Sequence, residues 1–367
     1  MCLGSGLQEW KAEGIKLPRL MLRTGLSPLT VGHGYGRGTE EGGRGKLGDS
    51  QMKHRHVKVA VVQSAPVLFD KQSAMDKIAD MSREAAGQGA RLIVFPEVFL
   101  PGYPRGLSFG ARVGSRTADG RRSWERYWQS SIDIPGHETE LWGELAKELG
   151  VYLVIGVVER DTEYSKGTLY NSMVYIGPDG LLLGKHRKLV PTGSERLLWG
   201  QGDGSTLTVI DTPFGTIGGL ICWENYMPLA RTAMYAQGID IYIAPTADAR
   251  DTWQSTIRHI ACEGRCYVIS SNQFATKASY PADLDGGDEI KGDDFILSRG
   301  GSAIIGPLGD YIVEPLYNQE GILVATLDLS QVTQSRFDFD VVGHYSRPDI
   351  FQLVVNHKKQ DIVRTKD

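Results

Sequence analysis

Three reactive side chains each stand just past an apolar run. Cys222 ends Gly218-Gly219-Leu220-Ile221-Cys222, after which come Trp223-Glu224-Asn225 and then Pro228-Leu229-Ala230. A strand that breaks into polar residues in this way presents a thiol at a sharp turn before a helix. Arg91-Leu92-Ile93-Val94-Phe95-Pro96-Glu97 delivers a carboxylate at a similar place, and Leu181-Leu182-Leu183-Gly184-Lys185-His186-Arg187-Lys188 delivers an amine. A nucleophile, a base and a cation are the parts needed to attack an electrophilic carbon bearing nitrogen. A thiol attacks as thiolate and is mostly protonated at neutral pH, so it needs a base or a positive field. A carboxylate buried at the end of so apolar a strand has a raised pKa and becomes a better proton acceptor. The plain alternatives are a buried structural cysteine, a solvated strand-end carboxylate and a basic turn. Three strand ends of complementary chemistry favour an enzyme over all of them.

The elements that must position these residues alternate. Strands are expected at 57–63, 91–95, 151–158, 205–210, 215–222, 239–244 and 266–271, with helices at 71–88, 137–149, 228–237 and 253–264. A hairpin joins 169–176 to 180–187 across Pro178-Asp179-Gly180, and short strands come next at 301–306, 310–315 and 321–328. The polar, aromatic-rich stretch 99–131 and the acidic, Gly-rich stretch 280–299 read as loops. Alternation argues for α/β, and the hairpins argue for mixed sheets covered on both faces. No linker divides 57–330, which reads as a single domain, and 331–367 reads as an extended tail. Residues 1–56 carry no helical or strand period and are crowded with Gly and Arg, so they are expected to be a disordered extension.

The totals exclude several classes. Of 367 residues, 41% are hydrophobic and 23% charged, ample for a soluble core. Lys+Arg of 40 against Asp+Glu of 44 gives a formal charge of -4, which calls for neither nucleic acid nor an anionic membrane. The four cysteines lack paired metal-ligand spacing, and so few thiols in a chain of this size suit a reducing cytoplasm. No phosphate-binding glycine loop lies between a strand and a helix.

With these residues laid out, residues from about 57 to 351 resemble the carbon–nitrogen hydrolase superfamily, and within it the nitrilase branch. The resemblance rests on Phe95-Pro96-Glu97, on His186-Arg187-Lys188-Leu189-Val190-Pro191-Thr192, and on Glu195-Arg196 followed by Trp199-Gly200-Gln201-Gly202-Asp203-Gly204. It rests also on Cys222-Trp223-Glu224-Asn225 and on the segment from Phe337 to Pro348, which contains Gly343-His344-Tyr345-Ser346-Arg347-Pro348. Each motif alone is weak; all five in this order are highly specific. Amidases and carbamoylases of the superfamily share the Glu, Lys and Cys, while the last two motifs look like nitrilases. Tyr103-Pro104-Arg105-Gly106 with the C-terminal motif looks closest to plant-type nitrilases and their bacterial relatives.

The resemblance implies a four-layer αββα sandwich and a homo-oligomer, in which dimers pair through helices after the nucleophile and extend into spirals or filaments. It implies that Cys222 is the nucleophile, Glu97 the general base, Lys188 the electrophilic stabiliser and Glu195 a supporting carboxylate. The substrate would be an organic nitrile, and water the second reactant. The products would be the carboxylic acid and ammonia, with some amide, and no metal or organic cofactor is called for. Tyr103, Trp223 and Tyr226 are the expected substrate contacts. Glu224 and Asn225 read as structural supports of the turn around Cys222, and His344 as a packing residue of a tail that lies at a subunit interface. Two other readings stay open: an amidase or carbamoylase of the same superfamily, and a self-assembling scaffold with a vestigial site.

Overall fold

The structure is a computed structural model that describes residues 55–281, 283, 292 and 294–363. Residues 1–54, the bulk of the expected N-terminal extension, lie outside the described residues. Among the described residues thirteen strands and six α-helices run in chain order: β1 (His56–Gln63), α1 (Lys71–Gly87), β2 (Leu92–Val94), α2 (Ala118–Ser130), α3 (His137–Leu149), β3 (Tyr152–Arg160), β4 (Leu169–Ile176) and β5 (Leu182–Arg187). Next come β6 (Val209–Thr212), β7 (Gly215–Gly219), α4 (Pro228–Tyr235), β8 (Ile241–Ile243), α5 (Asp251–Gly264), β9 (Tyr267–Ser270), β10 (Phe274–Thr276), β11 (Ile296–Ile305), β12 (Tyr311–Tyr317), β13 (Gly321–Asp328) and α6 (Ser330–Arg336).

The strands form two mixed sheets built to one plan. In the first, ordered β13-β1-β2-β3-β4-β5, the central β1, β2 and β3 are parallel and the outer pairings antiparallel. In the second, β7, β8 and β9 are the parallel centre; β6 flanks one side, and β11 with β10 and β12 extends the other antiparallel.

Strand parity sorts the core into layers, because successive side chains point to opposite faces. In β1, Val57, Val59 and Val61 join the cluster that contains Ile217, Ile241, Ile243 and Ile269 of the second sheet. The alternate Ala60 and Val62 pack with Ala74 and Ile78 of α1 and with Trp142 and Leu145 of α3. On the second sheet Tyr242 and Val268 turn the other way, onto Met234 of α4 and Trp253, Ile257 and Ile260 of α5. Helices, sheet, sheet and helices therefore stack in the expected four-layer αββα sandwich, and both sheets are near-continuous apolar runs because both faces are covered.

Four local expectations change. Residues 118–130 are a helix rather than loop: Thr117 caps it by accepting from Gly120 N at 3.0 Å, and Tyr127 anchors it in the core with Trp124 and Trp128 half-buried against the same cluster. Its apolar stripe is confined to these three aromatics, among charged and polar residues. The strand expected over 215–222 ends at Gly219, and Cys222 opens a tight turn instead. β11 begins earlier than expected, at Ile296 inside the expected loop. At the start of the expected extended tail, 330–336 forms a helix whose Val332 is buried between the sheets. No helix among the described residues is long and apolar enough to cross a membrane.

Candidate active site

Glu97 leaves β2 of the first sheet, Lys188 leaves β5 of the same sheet, and Cys222 leaves β7 of the second. Two glycines permit the close approaches that aim them. A Cβ on Gly219 would stand 1.8 Å from the Ile243 carbonyl oxygen, and one on Gly156 would stand 2.1 Å from the Pro96 carbonyl oxygen. Any side chain at either position would push the nucleophile or the carboxylate segment off its neighbouring strand.

Cys222 is buried and has φ of 53°, a left-handed conformation that disfavours a non-glycine residue by about 1–3 kcal/mol. The surroundings hold it there. Its N–H donates to the Pro245 carbonyl at 2.8 Å, and its carbonyl accepts from Asn225 Nδ2 at 2.9 Å. The other acceptor of Asn225 Nδ2 is the Leu220 carbonyl, and the Asn225 side-chain oxygen accepts from Tyr242. Asn225 is thus a support of the turn. Thr246, just past β8, donates its hydroxyl to the Cys222 sulfur at 3.1 Å.

Lys188 is fully buried between two carboxylates. Its Nζ donates to Glu97 Oε1 and to Glu195 Oε2, each at 2.8 Å. Glu97 Oε1 also accepts from Asn171 Nδ2 at 2.7 Å, and Glu97 Oε2 is buried with no hydrogen-bond partner. The Glu97 backbone carbonyl accepts from Gln273 Nε2 at 2.8 Å. Glu195 is held by three donors: Lys188, the Thr192 N–H at 2.7 Å and the Tyr103 hydroxyl at 2.6 Å.

The electrostatics arise from burial and from the excess of carboxylate over ammonium. Burial pushes the Cys222 thiol up to about 12, reinforced by the negative charge of Glu97 and opposed by Lys188 and by the Thr246 hydrogen bond. Burial also raises Glu97; Lys188 opposes that shift, and Glu195 adds to it. For Lys188, burial disfavours the charge, but the Glu97 and Glu195 carboxylates carry its pKa above the ordinary lysine value. Lys188 is therefore a permanent cation, and the resting sulfur is a neutral thiol that needs a base at the moment of attack.

A cleft of about 570 Å³ opens onto this cluster, its wall including Tyr103, Thr192, Glu195, Cys222 and Trp223. Of the seven expected site residues, Cys222, Glu195, Tyr103 and Trp223 line the cleft, while Glu97 and Lys188 lie buried behind them. Tyr226 does not line it, a correction to the expected contact. Its ring packs edge-on against Trp223 and Trp253, and its hydroxyl accepts from Thr256 at 3.0 Å, so it braces Trp223. Three participants escaped sequence reasoning: Asn171, Gln273 and Thr246. The available signal was polarity out of place, an Asn inside the apolar β4 and a Thr directly after Ala244-Pro245 at the end of β8. Among the described residues no group of three or more His, Cys, Asp or Glu could hold a metal ion.

A four-layer sandwich whose strand ends bring together a thiol, two carboxylates and an ammonium is the architecture of one group of hydrolases. A family model described as Carbon-nitrogen hydrolase matches residues 58–337, and the chain belongs to that family. An aliphatic nitrilase of Sinorhizobium fredii (strain HH103) is 51% identical over 310 residues, covering 84% of this chain and 98% of the relative. A bifunctional nitrilase/nitrile hydratase of Lupinus angustifolius is 48% identical, over 82% of this chain and 86% of the relative. The fold matches a crystal structure of a carbon-nitrogen hydrolase from Helicobacter pylori G27 with a TM-score of 0.62 at 22% identity, covering 81% of this chain and 97% of that one.

Proposed function

We propose that this chain is a nitrilase, converting an organic nitrile and water to the carboxylic acid and ammonia. The observation that carries the mechanism is the sharing of Lys188 between Glu97 and Glu195, with Glu97 Oε2 buried and without a hydrogen-bond partner. Identities of 48% and 51% to relatives named as nitrilases support nitriles rather than amides or carbamoyl groups as substrate.

The Cys222 sulfur bonds to the nitrile carbon as its proton passes to Glu97, and Glu97 returns that proton to nitrogen, giving a thioimidate. Water adds to the same carbon with its proton taken by Glu97, forming a tetrahedral intermediate. Breaking the C–N bond releases ammonia and leaves a thioester. A second water adds, the C–S bond breaks, and the acid leaves with the thiol restored. Lys188 faces the negative charge that develops at each addition. Glu195 fixes Lys188 through one oxygen and Tyr103 through the other, so its role is positioning. The Trp223 N–H, in the first turn after Cys222, is a donor for the developing anion, because N–H groups at a helix start lack intrahelical acceptors. Tyr103 and the Trp223 ring form the wall against which the substrate lies.

If the first tetrahedral intermediate breaks its C–S bond instead, the product is an amide. The bifunctional name of the Lupinus angustifolius relative supports that second outlet. The experiment is a product-resolved assay over aliphatic, aryl and amino-nitriles beside their matched amides. Ammonia with acid from at least one nitrile, faster than from its amide, is expected; turnover of amides alone would overturn the reading.

We further read 57–330 as one domain, the chain as cytoplasmic, and the protein as a homo-oligomer of dimers extending into a spiral. Free thiols at Cys222, Cys262 and Cys266 support a reducing compartment. Exposed Tyr345, Ile350, Phe351 and Val354 in the C-terminal segment support a subunit contact there.

A further inference from the structure

His186 and Glu224 take no part in the chemistry above, yet both side chains are fully buried. Each ring nitrogen of His186 faces an oxygen acceptor. Nδ1 is 2.8 Å from the Thr206 carbonyl, and Nε2 is 2.9 and 3.2 Å from Glu224 Oε2 and Oε1. A neutral imidazole carries one N–H, so it would turn a lone pair toward one of these oxygens. Against an ionised Glu224, both contacts are hydrogen bonds only if the ring is an imidazolium. Burial disfavours that charge, and Glu224 with the Thr206 carbonyl outweighs the burial, raising the His186 pKa. The other titratable groups that feel Glu224 are Tyr175 and Tyr242, both raised mainly by burial and so neutral. Among the described residues, His186 is the one cation paired with Glu224.

The other contacts of Glu224 reach two different segments. Its Oε1 accepts from the Leu189 N–H at 2.5 Å, and its Oε2 accepts from the Ile221 N–H at 2.7 Å. Leu189 directly succeeds Lys188, and Ile221 directly precedes Cys222. The first segment leaves β5 of one sheet, the second leaves β7 of the other, and one carboxylate holds both backbones, one per oxygen. His186, two residues before Lys188, closes the same arrangement from its strand.

We propose that the His186 imidazolium and the Glu224 carboxylate are a positioning pair, a charged staple across the two sheets that sets the Lys188 ammonium against the Cys222 sulfur. The proposal rests on the roles assigned above to Lys188 and Cys222. Its action is on geometry during reaction and not on substrate contact, since neither residue lines the cleft.

The test uses the full chain carrying Glu224→Gln, which keeps the shape and one acceptor oxygen but turns an NH2 toward a donor. With a nitrile that the unaltered protein hydrolyses, kcat should fall at least about thirtyfold, on the scale of the hundredfold that a misplacement of about 1 Å costs, and KM should stay within about threefold. His186→Asn should lower kcat in the same way, and the double variant should be no worse than Glu224→Gln alone, since a staple fails once. Retained kcat, a change confined to KM, or additive losses would each overturn the proposal. A second measurement needs neither variant to fold: ¹⁵N resonances of labelled histidine in the unaltered protein should show a buried imidazolium at pH 7.5, and an absence of any such resonance would overturn it as well. A protein with this imidazolium that turns over no nitrile refutes the nitrilase reading and leaves the staple to be scored by the rate of Cys222 alkylation, which Glu224→Gln should change and must not leave equal.

Discussion

Asn171 donates to Glu97 Oε1 at 2.7 Å, and Lys188 donates to that same oxygen at 2.8 Å. Two donors on one oxygen fix the carboxylate plane and leave Oε2 for the reacting partner. Glu97→Gln would keep the shape, accept both donors through its amide oxygen, and present an NH2 where a base is needed. Nitrile turnover should drop about a hundredfold or more, the range that general-base catalysis supplies. Asn171→Ala keeps the base and loosens its plane, so its loss should be smaller. Ammonia release decides both; a loss under tenfold for Glu97→Gln reassigns the base.

Lys188→Met keeps the stem and removes the charge, leaving Glu97 and Glu195 to face one another without a cation. One of the two carboxyls must then hold a proton, because like charges in a buried site resist ionising together. Turnover should fall about a hundredfold or more from lost stabilisation of the developing anion. In kinetics over pH, the surviving activity should need a higher pH than the unaltered protein. A profile that keeps its acid limb in place would show that Lys188 does not govern Glu97.

The Cys222 thiol, pushed up to about 12, sets the sign of a third test. A raised pKa means that the neutral thiol persists through neutral pH, so without substrate a small alkylating reagent should react slowly at pH 7. Its rate should keep climbing above pH 9, where an ordinary cysteine has begun to level off. Mass spectrometry of the Cys222 peptide against pH measures this, and a plateau below pH 8 would contradict it. Cys222→Ala removes a small thiol and the covalent route together. It should abolish turnover with little change in melting temperature, since Ala keeps the backbone that Asn225 and Pro245 hold.

Much of this was legible in the chain because the buried strands announce themselves. Leu92-Ile93-Val94 and Ile241-Tyr242-Ile243 are apolar on both faces, so the polar residues just beyond such runs had to stand at strand ends. Cys222, Glu97 and Lys188 could be named for that reason, and Glu195 through the family resemblance. α2 was not legible, because its stripe is only three aromatics, Trp124, Tyr127 and Trp128, set among charged and polar residues. Asn171, Gln273 and Thr246 come from β4, from just before β10 and from just after β8, and only the stacking of the two sheets brings them to the same place. Nor does spacing show that Glu224 reaches back to Leu189, since that contact spans 35 residues and both sheets.

The N-terminal stretch offers a test from sequence alone. Residues 1–51 have no apolar period with which to offset the entropy of ordering. A chain starting at Met52 should keep its activity and melting temperature nearly unchanged. A substantial fall in either would show that the stretch docks.

The C-terminal segment offers a test of the assembly. Val332 in α6 is buried between the sheets, so a cut after Asp328 would remove core and destabilise the protomer itself. A cut after Phe337 spares α6 and removes only the segment beyond it. That segment exposes Tyr345 at 60%, Phe351 at 76% and Val354 at 90%, more aromatic and aliphatic surface than a free tail keeps in water. It also returns to its own protomer: the Gln360 N–H donates to Asp203 Oδ2 at 2.7 Å, near the point where the Gly202 N–H meets the Lys188 carbonyl at 2.9 Å. Loss of the segment should therefore lower the oligomer mass and, through the backbone that carries Lys188, the rate. Melting temperature should fall less than after a cut at Asp328. Light scattering and ammonia release on the shortened chain measure the two effects, and unchanged mass with unchanged rate would remove the segment from both roles.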